Sequence, residues 1–185
     1  QRFFPSRGLD FIFATHADPD IIASLNKWMV TTHCKVMISR LWTRFIPHFT
    51  TGKDYTSRIL GIPDEGMNIA LGDSKIKALP AHFMHSEGNF QFYDPVAKIL
   101  FSGDMGASLV SHEQAAMPVK DFDDHVITMA GFHRRYMISN KICRYWVNMV
   151  RELDVEMIVP QHGCRFEGKA MVNRFLDWIE NQIGR

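Results

Sequence analysis

The sequence is expected to fold as an α/β (α+β) protein in four layers, αββα, with two central sheets between outer helices. Three observations carry this expectation. Short apolar runs rich in aromatic and β-branched residues alternate with segments of helical period. Two hairpin signals fall in the middle of the chain. Residues able to do chemistry follow directly on strand-like runs, where open α/β sheets place their sites.

In chain order, the apolar run Leu9–Ala14 reads as a buried strand, and Ile22, Leu25 and Met29 then repeat at helical spacing. Lys35–Ile38 is a second short strand, and Ser39 is placed to cap a helix carrying Leu41, Trp42, Phe45 and Ile46. Residues 50–66 read as a loop anchored by Ile59 and Leu60. Asn68–Leu71 and Lys75–Leu79 flank Gly72-Asp73-Ser74, while Asn89–Tyr93 and Lys98–Phe101 flank Asp94-Pro95-Val96-Ala97; each is a hairpin signal. Asp121–Ile138 reads as helical with a break near Gly131. Ser139 is the expected N-cap of a helix with Ile142, Trp146, Met149, Val150 and Leu153 on one face. Met157–Val159 is a short strand closed by Pro160, and Lys169–Ile183 an amphipathic helix with Val172, Phe175, Leu176, Ile179 and Ile183 inward.

With 185 residues, 46% of them hydrophobic, the chain suits one domain over residues 1–185 rather than two. A net charge of +1 provides no field of the kind that nucleic acid or a membrane surface requires. No apolar run is long enough to span a bilayer, and the start does not read as a signal peptide. Cys34, Cys143 and Cys164 are odd in number and widely spaced, as reduced thiols of a cytoplasmic protein would be.

His16-Ala17-Asp18-Pro19-Asp20 offers three potential metal ligands within five residues, between the first strand and the first helix. Asp-Pro-Asp before a helix is equally an ordinary N-cap signal. Three later loops favour the metal reading. Pro80–Gly88 carries His82 and His85, Phe101-Ser102-Gly103-Asp104 ends a strand with a carboxylate beside a glycine, and Val159-Pro160-Gln161-His162-Gly163 does the same with an imidazole. Glycine next to such a group permits close approach of the backbone.

This order of motifs resembles the metallo-β-lactamase fold. It looks most like the flavodiiron branch and its flavin-less relatives, the oxygen-binding diiron proteins, from about Gly8 to Trp178. The resemblance implies two non-haem irons, one held by His16, Asp18 and His85 and the other by Asp20 and His162, bridged by Asp104 and a hydroxide or oxo group. It also implies several strands and a helix ahead of the first motif. Only about fifteen residues stand there, so the N-terminal part of the fold is expected to be missing or truncated.

The donor set supports iron independently. The hydrolytic branch carries H-x-H-x-D-H, which suits zinc; here Asp18 replaces the middle histidine and Ile21 the last. Three carboxylates and one hydroxide neutralise two ferrous ions, so the pair can sit in a poorly solvated pocket. Manganese and zinc accept the same donors and are ranked below iron. Where the branch usually has glutamate, Asp18 is one methylene shorter.

Around the centre, His82 and Glu87 are expected as outer hydrogen-bonding partners of ligand histidines. Tyr136 and His133 are expected to reach in from the helix. A buried structural His82 and a surface basic turn at Phe132–Tyr136 are the competing readings.

Two ferrous ions with open positions bind dioxygen across the pair. The chain has no Gly-rich phosphate loop for flavin and no C-x-x-C pair, so it carries no electron supply of its own. The first expectation is therefore an oxygen carrier or sensor. The second is an oxygen or nitric oxide reductase fed by an external flavin or rubredoxin donor, and the third a zinc-dependent hydrolase. A homodimer and a signalling or electron-donor protein are the expected partners.

Overall fold

The computed structural model describes residues 8–51, 55–137 and 139–182. The expectations for Ile138 and Ile183 lie outside the described residues. Among those described, no helix is long and apolar enough to cross a membrane.

Two sheets form. The smaller is parallel, in the order β1 (Phe11–Phe13), β2 (Lys35–Ser39), β3 (Ile59–Ile62). The larger runs β4 (Met67–Leu71), β5 (Ser74–Pro80), β6 (Phe90–Asp94), β7 (Ile99–Gly103), β8 (Met157–Pro160), β9 (Phe166–Glu167). Its neighbours are antiparallel except the parallel β7–β8 pair. Both hairpins expected from the sequence form. Asp94 Oδ1 secures the second by accepting from the amides of Val96 and Ala97 at 2.8 and 3.1 Å.

The layers follow from side-chain alternation. Along β2, Val36 and Ile38 face one way and Met37 the other. Met37 joins Ile62, Ile69, Ala78, Phe90 and Phe92 in a core made by both sheets. Val36 and Ile38 pack with Ile22, Leu25 and Met29 of α1 (Pro19–Ile22) and α2 (Leu25–Thr31). On the far side, Leu79, Tyr93, Leu100 and Ile158 pack with residues of α4 (Phe122–Tyr136), α5 (Asn140–Arg151) and α6 (Lys169–Gln182). A short α3 (His112–Ala115) precedes α4, closed by a capping box between Ser111 and Gln114. The four αββα layers are those expected, because strands buried on both faces need helices outside each sheet.

Several elements differ in detail. The first strand is shorter than expected and half-buried. The helix after the ligand loop is split in two at Ala23–Ser24. No α-helix follows Ser39. Its hydroxyl accepts from the Leu41 amide, but residues 40–45 are turns and Ile46–Phe49 is 3-10 helix. Pro47 has no N–H to return to Thr43, which prevents an α-turn there. Ile59–Leu60 belongs to a strand, not a loop: β3 pairs with β2 from Val36↔Ile59 to Ser39↔Ile62. α4 runs unbroken through Gly131, where a side chain would meet nothing. The two-residue β9 had no sequence signal, and α3, whose Ser111 and Gln114 stand at capping-box spacing, was not among the expected elements.

Phe175 is fully buried, stacked on Phe166 with ring centroids 4.4 Å apart and edge-on to Trp146. Phe175→Ala is expected to cost about 3–5 kcal/mol, read as a lower urea midpoint with unchanged slope.

Candidate metal centre

Four strand ends converge. Beyond β1 the chain continues to Thr15, whose carbonyl accepts from Phe90 N at 2.8 Å and so ties the small sheet to the start of β6. His16 follows. His85 lies five residues past β5, Asp104 directly after β7 and His162 two residues past β8. Because β7 and β8 are parallel with Gly103 opposite Pro160, their two loops emerge side by side. Gln161 N donates to Gly103 O at 2.7 Å, holding them together. Gly163 sits at φ +91°, and a Cβ there would collide with the Ser108 hydroxyl, so only glycine lets the His162 loop close.

All six expected ligands meet. Asp104 Oδ2 lies 3.7 Å from His16 Nε2 and 3.5 Å from His85 Nε2, while its Oδ1 lies 3.8 Å from His162 Nε2. Asp18 Oδ2 is 3.0 Å from His85 Nε2 and 3.6 Å from His16 Nε2. Asp20 Oδ2 is 2.8 Å from His162 Nε2. Two adjacent donor groups thus share one carboxylate. In the first (His16, Asp18, His85) the His16 and His85 side chains are 0% and 12% exposed, while Asp18 is 44% exposed. The second (Asp20, His162) is about half exposed.

The backbone of Asp18 occupies the N-cap of α1, yet its carboxylate makes no capping bond. It faces His85 instead, forgoing roughly 1 kcal/mol of helix stabilisation. The side-chain capping expected of Asp18 is therefore not made.

Burial and neighbours set the charges. Burial pushes the His16 imidazole below its ordinary value, against the pull of Asp104 and Asp18. Neutral imidazole is the form that binds metals. His16 Nδ1 lies 2.9 Å from Thr15 Oγ1, which leaves Nε2 to face the cluster. Burial pushes the Asp104 carboxyl up, opposed by the three histidines. For Asp20, burial acts upward but the hydrogen bond with His162 helps bring its carboxyl below the usual value. His16 Nε2 and Asp104 Oδ1 are buried without a hydrogen-bond partner. Orphaned polar atoms on neighbouring side chains of one cluster are the kind of atoms that a bound cation satisfies. His16, His85 and Asp104 offer ligand atoms within 4.8 Å of one another, so the residues present fit a metal.

The surrounding residues are only partly those expected. Tyr136 does reach the centre, its ring edge-on to His85 at 5.1 Å, with Phe132 beside it at 5.4 Å. His82 does not. Its Nε2 is 2.8 Å from Asp64 O and its ring packs on Phe90, because Phe83 and His85 both adopt positive φ and turn the chain between the two histidines. Glu87 points to solvent and makes no hydrogen bond or ion pair with a described residue. His133 is fully buried under the Asp104 loop rather than in the pocket. Sequence reasoning missed Thr15 and Asn89. Asn89 clamps the His85 loop by donating to Met84 O at 2.8 Å, and a buried amide has no local signature.

An αββα sandwich with a shared carboxylate between two histidine–carboxylate groups defines the metallo-β-lactamase fold in its two-metal form. Residues 1–163 match the model of the ODP family beta lactamase, and the chain belongs to that family. It is 43% identical to the chemotaxis sensor ODP solved as a peroxy diiron species, covering 94% of this chain and 71% of that one with a TM-score of 0.86. The apo state of the sensor from T. denticola gives 44% identity, 94% and 70% coverage and the same TM-score. The flavodiiron protein of Giardia intestinalis is 17% identical over 92% of this chain and 42% of that one, with a TM-score of 0.77, a likeness of fold alone. An uncharacterized Methanocaldococcus jannaschii protein is 23% identical over 98% of this chain, which spans 46% of its length.

Burial holds the His133 imidazole down to about 4, against an ordinary 6.5. Between those values the unfolded chain binds a proton that the folded chain refuses, so stability falls as pH falls through this window. The metal-free protein is expected to lose about 3 kcal/mol from this group between pH 7 and 4, measured by urea unfolding against His133→Phe, which should lack that contribution.

Proposed function

We propose that this chain holds two iron ions at the six-residue cluster and takes up dioxygen there, as a carrier or sensor. The observation that carries the reading is Asp104, whose two oxygens face separate histidine groups. His16, Asp18 and His85 would hold the deep ion, Asp20 and His162 the outer one, and Asp104 would serve both. A ferrous pair, when bound, would supply the electrons for dioxygen uptake.

The chain's own residues set the conditions. Phe132 and Tyr136 shield the His85 ring from water on the helix side. The half-exposed Asp20–His162 side is the route by which a small molecule arrives. The family membership and the 43% identity to a chemotaxis sensor solved as a peroxy diiron species support the same assignment. We place the protein in the cytoplasm, where its three buried free cysteines suit a reducing compartment. We read the whole chain as one domain working as a homodimer, with the exposed Phe83 and Tyr145 as apolar surface to cover.

Protein prepared without oxygen is expected to carry two irons per chain and to give a slowly decaying visible absorption on mixing with oxygen. Rapid oxygen loss that requires an added electron donor would replace the carrier reading with a reductase. A colourless, zinc-loaded protein would remove iron. Asp104→Ala is expected to lose both ions, whereas His162→Ala keeps the deep one, both measured by elemental analysis after desalting.

A further inference from the structure

Asp104 sits in a turn closed by hydrogen bonds of its own and tied to the His162 loop by Gln161 N on Gly103 O. Met105 N donates to Ser102 O at 3.2 Å, Ala107 N to Asp104 O at 3.0 Å, and the Ser102 hydroxyl to Met105 O at 2.6 Å. One amide in it, that of Gly106, is taken by a side chain from elsewhere. Gly106 N donates to His133 Nε2 at 2.9 Å. Among the described residues, no other side chain outside the turn hydrogen-bonds it. Gly106 itself is at φ +97°, with Phe166 only 2.9 Å from where a Cβ would stand. That amide direction is therefore open only to glycine.

The partners of His133 dictate its proton. The Met129 carbonyl, 2.8 Å from Nδ1, can only accept, so Nδ1 carries the hydrogen. The Gly106 amide can only donate, so Nε2 offers its lone pair. The ring is fully buried and edge-on to Phe132, Phe175 and Trp178 at 5.4, 6.4 and 5.2 Å. Water cannot substitute for it there. The same helical turn of α4 that presents His133 to the Asp104 turn presents Phe132 and Tyr136 to His85.

We propose that His133 is a positioning residue of the metal centre, which by accepting the Gly106 amide hydrogen fixes the Ser102–Ala107 turn so that the two oxygens of Asp104 address different metals. The role rests on reading the cluster as a two-metal site. It differs from ordinary core packing in depending on one lone pair rather than on ring volume.

The test uses cobalt(II) titration of the metal-free full chain, followed by its visible ligand-field bands, for the wild type, His133→Phe and His133→Gln. Phenylalanine keeps the aromatic volume without an acceptor, and glutamine restores an acceptor. Wild type is expected to bind two ions. His133→Phe should bind them about 10–100-fold more weakly, the range for groups that orient ligands, with altered bands, and His133→Gln should recover most of the loss. A folded His133→Phe with wild-type affinity and bands overturns the proposal, as does a glutamine variant no better than phenylalanine. Wild type that fails to bind two ions removes the two-metal reading itself, a separate result. Should His133→Phe not fold, NMR of wild type labelled with 15N at histidine and glycine decides. A scalar coupling across the hydrogen bond between Gly106 N and His133 Nε2 supports the role, and a protonated Nε2 overturns it.

Discussion

A single carboxylate, held nearly out of water between three imidazoles, is the constraint the structure answers to. Asp104 is buried and burial opposes its charge, yet no hydrogen-bond donor meets its Oδ1. An ionised group in that position needs positive charge close by. The parallel pairing of β7 with β8 brings His162 to one of its oxygens. The contact between Thr15 O and Phe90 N brings His16 and His85 toward the other. Sheet register thereby becomes site geometry, since slipping β8 by one residue would turn its side chains to the other face.

The two donor groups are unequal in their surroundings. The deep one is walled by aromatic rings and by strained backbone at Phe83 and His85. The outer one is open, and Asp20 and His162 pair with each other.

Most of the site was legible in the sequence because its signals are local. A strand run, then a ligand residue beside glycine, can be seen in Gly103-Asp104 and His162-Gly163 without knowledge of the fold. The layers were legible because β2 and β6 alternate apolar residues toward two different cores. What escaped was non-local. β3 is four residues with a glycine inside, and it is a strand only because β2 offers it a parallel partner. Trp42 and Phe45 have helical spacing, but Pro47 and the return of Arg40 N to Ile62 O turn that stretch aside. His82 looked better placed than His133 because sequence distance to His85 was the only measure. The backbone reversal between His82 and His85 and the fold of α4 over the Asp104 turn exchanged their importance.

The small parallel sheet supplies His16, Asp18 and Asp20, and the large sheet supplies His85, Asp104 and His162. Ions seated among them would act as rivets through the seam of the sandwich, since each would be gripped from both halves. Loading would then be a mechanical event as much as a chemical one. It would close the seam at its open end, slow amide exchange along β1 and β2, and make release of the ions and parting of the sheets the same act.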